Sequence, residues 1–327
     1  MKGRPTNSAP TVKGKKDRAT GPADGGALNG NGDADVSLEK LSKETLGKLR
    51  AAGVPKDLDW VIPDGVRSYD EMGDPTTTAQ VHPYMFTTAM VELAQEKGVK
   101  VILGSCTEIQ QENDAVKGVS YKDKETGEER SLEADTVIVS AGPWTQRVFP
   151  PAPISALRAH SVTIRPSRPV SAYALFTGIE MPPSGGKKKG FFGRGGETVT
   201  PEIYARPNNE VYACGEGDRL IKLPATTDLV EVDESRCQEI VDQVSSISDE
   251  LRDGEVTARQ ACYLPNASRG SGPFIGETGV KGLILASGHT CWGIQNGPGT
   301  GKLVSEIVFD GKAKSASIAS LDPRRVM

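Results

Sequence analysis

Gly282-Leu283-Ile284-Leu285-Ala286-Ser287-Gly288-His289, then Thr290-Cys291-Trp292-Gly293-Ile294-Gln295-Asn296, then Gly297-Pro298-Gly299-Thr300-Gly301, is the stretch on which the fold turns. Its apolar run predicts a short buried strand. A glycine-studded loop follows, and then a new helix. Such a junction gathers unpaired backbone N–H groups where an anion or an electron-rich ring can meet them.

Upstream, the same strand-and-helix alternation recurs. His82 to Gly98 predicts a helix: Pro83 suits its first turn, and Phe86, Ala89, Met90, Leu93 and Ala94 follow helical spacing. Gly98 ends it, and Val99-Lys100-Val101-Ile102-Leu103 predicts a strand. Val116 to Tyr121 and Arg130 to Leu132 predict a hairpin around Thr126-Gly127. Ala134 to Gly142 predicts a central parallel strand, buried on both faces and ending in small residues.

The texture changes from Ser161 to Leu223. Short β-rich runs (Val162 to Ile164, Ala172 to Phe176, Glu202 to Ala205, Val211 to Gly215) alternate with turn residues such as Asn208-Asn209. They predict an antiparallel sheet in a second domain. Pro182 to Thr200, with Lys187-Lys188-Lys189 among glycines, predicts an exposed insertion loop. Val232 to Leu251 predicts an amphipathic helix with Cys237, Ile240, Val241, Val244, Ile247 and Leu251 inward. Ser37 to Gly53 predicts a further helix, with Leu38, Leu41, Leu46 and Leu49 on one face.

The resulting division is a disordered tail at 1–37, an α/β domain from 38–153 that resumes at 259–312, an antiparallel domain at 154–258 with an insertion loop at 182–200, and a tail at 313–327. A chain of 327 residues is long enough for two cores. A net charge of -4 gives no support for nucleic-acid binding. No apolar run reaches the length of a membrane span, and no secretory leader is expected. The five scattered cysteines, with no CxxC pair, suit free thiols in a reducing, cytoplasmic setting. Three histidines without ligand spacing predict no metal site.

Several chemistries are excluded by pattern. Gly297 to Lys302 mimics a phosphate loop, but Asn296 stands where the first glycine is needed and Leu303 where Ser or Thr would meet magnesium. No GxGxxG follows a strand, so the usual dinucleotide cradle is missing. An NAD-linked dehydrogenase would need that cradle and would leave Gly288 to Gly301 unexplained. There is no Gly-x-Ser-x-Gly elbow for hydrolysis. His289 could serve as a base or simply pack at the strand end, and Trp292 could stack on a ring or fill an interface. No catalytic residue is singled out.

Four segments, in order, resemble the FAD-dependent amino acid oxidase type, which includes glycine oxidase, sarcosine oxidase and fungal FAD oxidoreductases. They are Val81-His82-Pro83 with Gly98-Val99-Lys100-Val101; Ala134 to Thr145; Gly272-Pro273-Phe274-Ile275-Gly276; and Gly288-His289 to Gly301. The resemblance implies an incomplete glutathione-reductase-like FAD-binding domain, lacking its first βαβ unit, plus an antiparallel-sheet substrate domain. It implies FAD as cofactor. Gly293 and Ile294 would offer N–H groups at the pyrimidine edge of the flavin, with Gly288, His289 and Trp292 close to the ring. Ala141 and Gly142 would lie toward the adenosine–pyrophosphate region. The implied activity is oxidation of a C–N bond in an amine or amino-acid-like small molecule by hydride transfer to the flavin.

Two departures accompany the resemblance. The missing cradle implies either a piece of a longer protein, the favoured expectation, or a non-catalytic flavin-fold remnant acting as a scaffold. Amino-acid-oxidising members also place an arginine, for the substrate carboxylate, where Leu264 stands before Pro265. Arg206, Arg259 and Arg269 are the candidate replacements.

Overall fold

The structure is a computed structural model that describes residues 53–74, 76–182 and 197–327. The tail expected at 1–37, the helix expected from Ser37 up to residue 52, and most of the expected insertion loop lie outside the described residues. Contacts divide the chain into two units. The first is drawn from Met1–His82, His160–Glu216 and Glu231–Ala261. The second is Pro83–Ala159, Gly217–Val230 and Cys262–Met327. Among the described residues, no helix is long and apolar enough to cross a membrane.

In the chain's numbering of strands, β1 is Gly104–Glu112, β2 Ala115–Asp123, β3 Glu129–Glu133, β4 Val137–Val139, β5 Ile154–Arg165, β6 Ala174–Phe176, β7 Ile179–Glu180 and β8 Thr198–Val199. They continue with β9 Glu202–Arg206, β10 Glu210–Asp218, β11 Glu255–Ala267, β12 Phe274–Glu277 and β13 Leu283–Ser287. The helices are α1 Pro83–Gln95, α2 Thr145–Val148, α3 Glu234–Ser245, α4 Asp249–Arg252 and α5 Gly293–Asp310.

The first unit is built on a sheet whose strand order is β11-β5-β10-β9-β6. β9 and β10 form an antiparallel hairpin with Glu210 opposite Arg206. Its loop is the three residues from Pro207 to Asn209, of which Asn208 and Asn209 take positive φ, a conformation that asparagine tolerates. Alternation then sorts the side chains. Ile203, Ala205, Val211 and Ala213 point into a core with Val162, Ile164 and Trp60. Cys237, Ile240 and Val244 of α3 cover that face. The single helix expected over 232–251 is two helices. α3 stops at Ser246, and Ser248 starts α4 by accepting the Leu251 N–H. A serine hydroxyl competes well for such a cap, so the apolar periodicity continues across a break in the backbone.

The second unit holds two sheets. β1-β2-β3 is an antiparallel meander, of which β1 was not expected. The other sheet runs β12-β13-β4, with β12 antiparallel and β4 parallel to β13. Leu283, Leu285 and Val139 face a core with Ile109, Val116, Ile154 and Phe274. On the other face, Ile275, Ile284 and Ala286 pack against Val304 and Ile307 of α5. The segment expected as a tail carries two 3-10 turns, and its Ile318 and Leu321 pack on that second core.

Three expectations about this unit need correction. Val99 to Leu103 forms no strand, and Val99, Val101, Ile102 and Leu103 are exposed. Among the described residues, β4 is not central but ends the sheet, and its Ile138 is 44% exposed. The expected core face of α1 is likewise uncovered, since the helix buries none of its residues. One cause accounts for all three. Apolar periodicity reports what a segment needs to cover, and a strand forms only where a neighbour completes its ladder.

Candidate flavin-binding site

Parallel pairing sets the site. Leu283 lies opposite Val137 and Leu285 opposite Val139, so β4 and β13 end at the same edge of their sheet. In open α/β sheets, ligands bind beyond those carboxyl ends. The chain leaves β4 through Ala141 and Gly142, and leaves β13 through Gly288 and His289. A buried bond joins the two exits: Thr145 Oγ1 and Ser287 Oγ are 2.9 Å apart. Both hydroxyls also reach the Gly142 carbonyl, at 2.6 and 3.3 Å. The two sequence segments expected at the cofactor are thus adjacent, 145 residues apart in the chain.

Backbone conformation explains the small residues. Gly142 has φ 51° and Gly288 φ 91°, both in the region that glycine occupies without cost. A Cβ at Gly142 would meet nothing within 4 Å, so that surface is open. A Cβ at Gly288 would lie 2.9 Å from Ile154 Cδ1, so that position is closed on its inner side. Thr290, at φ 53°, is a non-glycine residue in the same region, where the chain turns into α5.

No side chain caps the start of α5. The first N–H groups of a helix have no intrahelical partner, and the helix dipole adds positive potential there. Trp292 is 55% exposed and Ile294 is exposed. Nothing lies within 4 Å of a Cβ built at Gly297, Gly299 or Gly301, and at Gly293 only His289 Cβ comes as near as 3.9 Å. This is a smooth, open helix start, and it fits the electron-rich edge of a flat heterocycle. The residues present therefore fit the isoalloxazine side of a flavin. A diphosphate cradle is not among them.

His289 is half-buried, and its Nε2 lies 2.9 Å from Thr300 Oγ1. Burial depresses the imidazole below its ordinary 6.5. An unfolded chain therefore binds this proton at higher pH than the folded one. The stability contributed by neutral His289 is complete above 6.5 and is lost as pH falls through the lowered folded value. An NMR titration of the ring is expected to give a midpoint below 6.5. Denaturation at pH 7.5 and 5.5 is expected to show a loss of stability that shrinks in His289→Gln.

The arginine candidates separate. Arg206 is occupied: Nη1 lies 3.2 Å from Glu210, and the guanidinium sits 4.4 Å over the Tyr212 ring. Arg259 is held by Glu234 and by Gln238 at 2.7 Å. Arg269 is exposed on the loop after β11. The sequence reading missed a further group of residues. Trp144 Nε1 donates to the Pro224 carbonyl at 2.8 Å, Arg147 to that of Leu223 at 3.0 Å, and Tyr263 Oη to those of Ile221 and Lys222 at 3.2 Å. Arg158 and Asp218 form a buried ion pair at 3.2 Å. The glycines flanking Glu216 were the only local hint of a close approach: a Cβ at Gly217 would lie 2.7 Å from Leu157. A cleft elsewhere, lined by Thr107, Phe149, Thr278 and Met327 among others, contains none of the predicted cofactor residues.

A family model described as FAD dependent oxidoreductase matches residues 34–307. The chain belongs to this family. As a member of the FAD dependent oxidoreductases, it is 40% identical over 302 residues to the Saccharomyces cerevisiae protein named "Putative oxidoreductase TDA3". That match covers 83% of this chain and 55% of the yeast protein. A Schizosaccharomyces pombe protein, "Putative oxidoreductase C1F5.03c", is 34% identical over 83% of this chain and 70% of its own length. The chain thus spans little more than half of the first relative. Among solved structures, glycine oxidase from Bacillus cereus aligns at TM-score 0.53 and 18% identity, over 70% of this chain and 56% of that one. L-proline dehydrogenase from P. horikoshii aligns at TM-score 0.54 and 18% identity, over 74% and 59%. These two likenesses concern the fold.

Proposed function

We propose that the chain forms part of a flavoenzyme that oxidises a C–N bond of an amine or amino-acid-like small molecule. The observation that carries this is the shared edge where β4 and β13 end, with glycine exits tied by Thr145 and Ser287 and an uncapped α5 start beside them. The names of glycine oxidase and L-proline dehydrogenase point the same way for substrate class.

When bound, FAD would accept the hydride equivalent from the substrate carbon. The chain's own groups supply binding and electrostatics. Gly293 and Ile294 would direct N–H groups at the pyrimidine edge, where negative charge is favoured by the helix start. Gly288 allows close approach, and Ala141 and Gly142 keep the neighbouring surface low. His289 meets Thr300 through its ring nitrogen, which fixes the imidazole beside that edge.

The test is spectroscopic. The product of the full coding sequence, with any in-frame upstream segment, is expected to bind FAD and show a band at about 450 nm. That band should bleach on anaerobic addition of an oxidisable amine or amino acid. A folded full-length protein that takes up no flavin would overturn the proposal in favour of a scaffold.

A further inference from the structure

The segment after α5 folds back along the sheet that ends at the candidate cofactor site. Glu306, on α5, fixes its start. The carboxylate accepts the Lys314 N–H at 2.6 Å, the Ser315 N–H at 2.9 Å and the Ser315 hydroxyl. Ile318 and Leu321 then pack on the core beneath α5. Asp322 accepts the Arg324 N–H at 2.9 Å and so starts the 3-10 turn Pro323–Arg325. That turn meets β12 and the loop leading into it. Pro323 is buried, and its Cδ lies 3.3 Å from a Cβ built at Gly276. Val326 Cγ1 lies 3.3 Å from one built at Gly270, and the side chain packs on the core that holds Phe274 and Ile154. Arg324 also reaches Glu277, at 3.4 Å.

The same loop meets the glycine exit of β13. A Cβ at Gly272 would lie 3.1 Å from the Gly288 carbonyl oxygen. One at Gly288 would lie 3.7 Å from both Pro273 Cα and Phe274 Cδ2. Phe274 stands opposite Ser287 in the sheet, and Ser287 bonds Thr145. The loop at 268–273 thus touches the segment after α5 at Gly270 and the cofactor exit at Gly272. All of these residues belong to the second unit. Glycines give such a loop wide backbone freedom, and only neighbouring contacts remove it. A site held in its binding shape in advance spends less affinity on ordering itself.

We propose that Pro323 and Val326 are positioning residues for the cofactor: the segment 314–326 is a strap that holds the loop 268–273 against Gly288, so that the β13 exit keeps the form that receives the flavin. This role rests on the flavin reading above.

Hydrogen exchange and flavin retention, both in the full-length protein, supply the test. Two bonded amides report the loop and the exit: Ser268 donates to the Pro153 carbonyl at 2.8 Å, and Trp292 to that of His289 at 2.9 Å. Pro323→Ala combined with Val326→Ala should speed exchange at both by about tenfold, with the β9–β10 hairpin unchanged. The same pair should raise the FAD dissociation constant by about tenfold, read by flavin fluorescence. Val326→Ile, which keeps the apolar contact, should stay near the parent in both. Ile318→Ala loosens the same segment at the other core. It should lower the melting temperature and leave exchange at Ser268 and Trp292, and FAD affinity, as in the parent. If the double variant does not fold, Val326→Ala alone carries the test.

Exchange and FAD affinity indifferent to Pro323 and Val326 overturn the assignment, and so does faster exchange at unchanged FAD affinity. Equal losses in Ile318→Ala overturn it too, because they reduce the strap to general stability. The strap and the flavin reading fail in different ways. A parent that binds FAD, matched by both strap variants, removes the strap alone. Faster exchange in the double variant of a protein that takes up no FAD removes the flavin reading, and the cofactor role with it, and leaves the strap's hold on the loop.

Discussion

Asp218→Ala is expected to destabilise the protein by about 3–5 kcal/mol, the cost of breaking a buried ion pair by removing one partner. The Arg158 side chain is 3% exposed and that of Asp218 8%, and both Nε and Nη2 of the arginine face the same carboxylate oxygen. Without that oxygen, the buried guanidinium would lose the carboxylate that both nitrogens face. A folded domain holds only about 5–15 kcal/mol in all, so the variant should show a large fall in the denaturant midpoint. The pair itself is a different matter. Removing both charges together, as in Arg158→Met with Asp218→Leu, should recover most of the loss, because desolvation offsets much of a buried pair's attraction. A single Asp218→Ala variant as stable as the parent would contradict the burial on which this rests.

The candidate site and the loop beside it differ in how far the sequence exposes them, and the difference is one of range. The β13–α5 junction is local. Five buried residues, two glycines and a helix start lie within twelve positions, and each has a backbone reason to be there. Its partner at Ala141 and Gly142 is legible for the same reason, as small residues at a strand end. Their junction through Thr145 and Ser287 is not legible, because two hydroxyls 142 positions apart carry no pattern. Arg158 with Asp218, and Tyr263 with Ile221, are also long-range pairs of common residue types. Within the expected β-rich runs, Ile203, Ala205, Val211 and Ala213 alternate inward because one covered sheet face enforces a period of two. Apolar pattern alone misjudged the covered face of α1 and the strand expected at Val99 to Leu103, since an apolar stripe states a demand that only a neighbouring element can meet.

Gly288→Val and Gly293→Ala form the sharper test of the proposed flavin site, because they divide stability from binding. Gly288 combines φ 91° with an inner wall at Ile154 Cδ1, 2.9 Å from any Cβ. A branched side chain there meets both the left-handed penalty and overpacking, about 2–4 kcal/mol together. FAD binding should fall with it, since the loop must shift to relieve the contact. Gly293 is the opposite case. It has ordinary helical φ of -61°, and a Cβ would meet only His289 Cβ at 3.9 Å. Alanine there should change stability by no more than about 0.5 kcal/mol. Its methyl group, however, would stand at the helix start where the N–H groups are to face the ring, so FAD affinity should drop by about tenfold at near-native stability. Fluorescence titration of the full-length protein with FAD, beside denaturation curves for both variants, reads the two quantities separately. Unchanged FAD affinity in Gly293→Ala would remove the α5 start from the cofactor site, whatever Gly288→Val did.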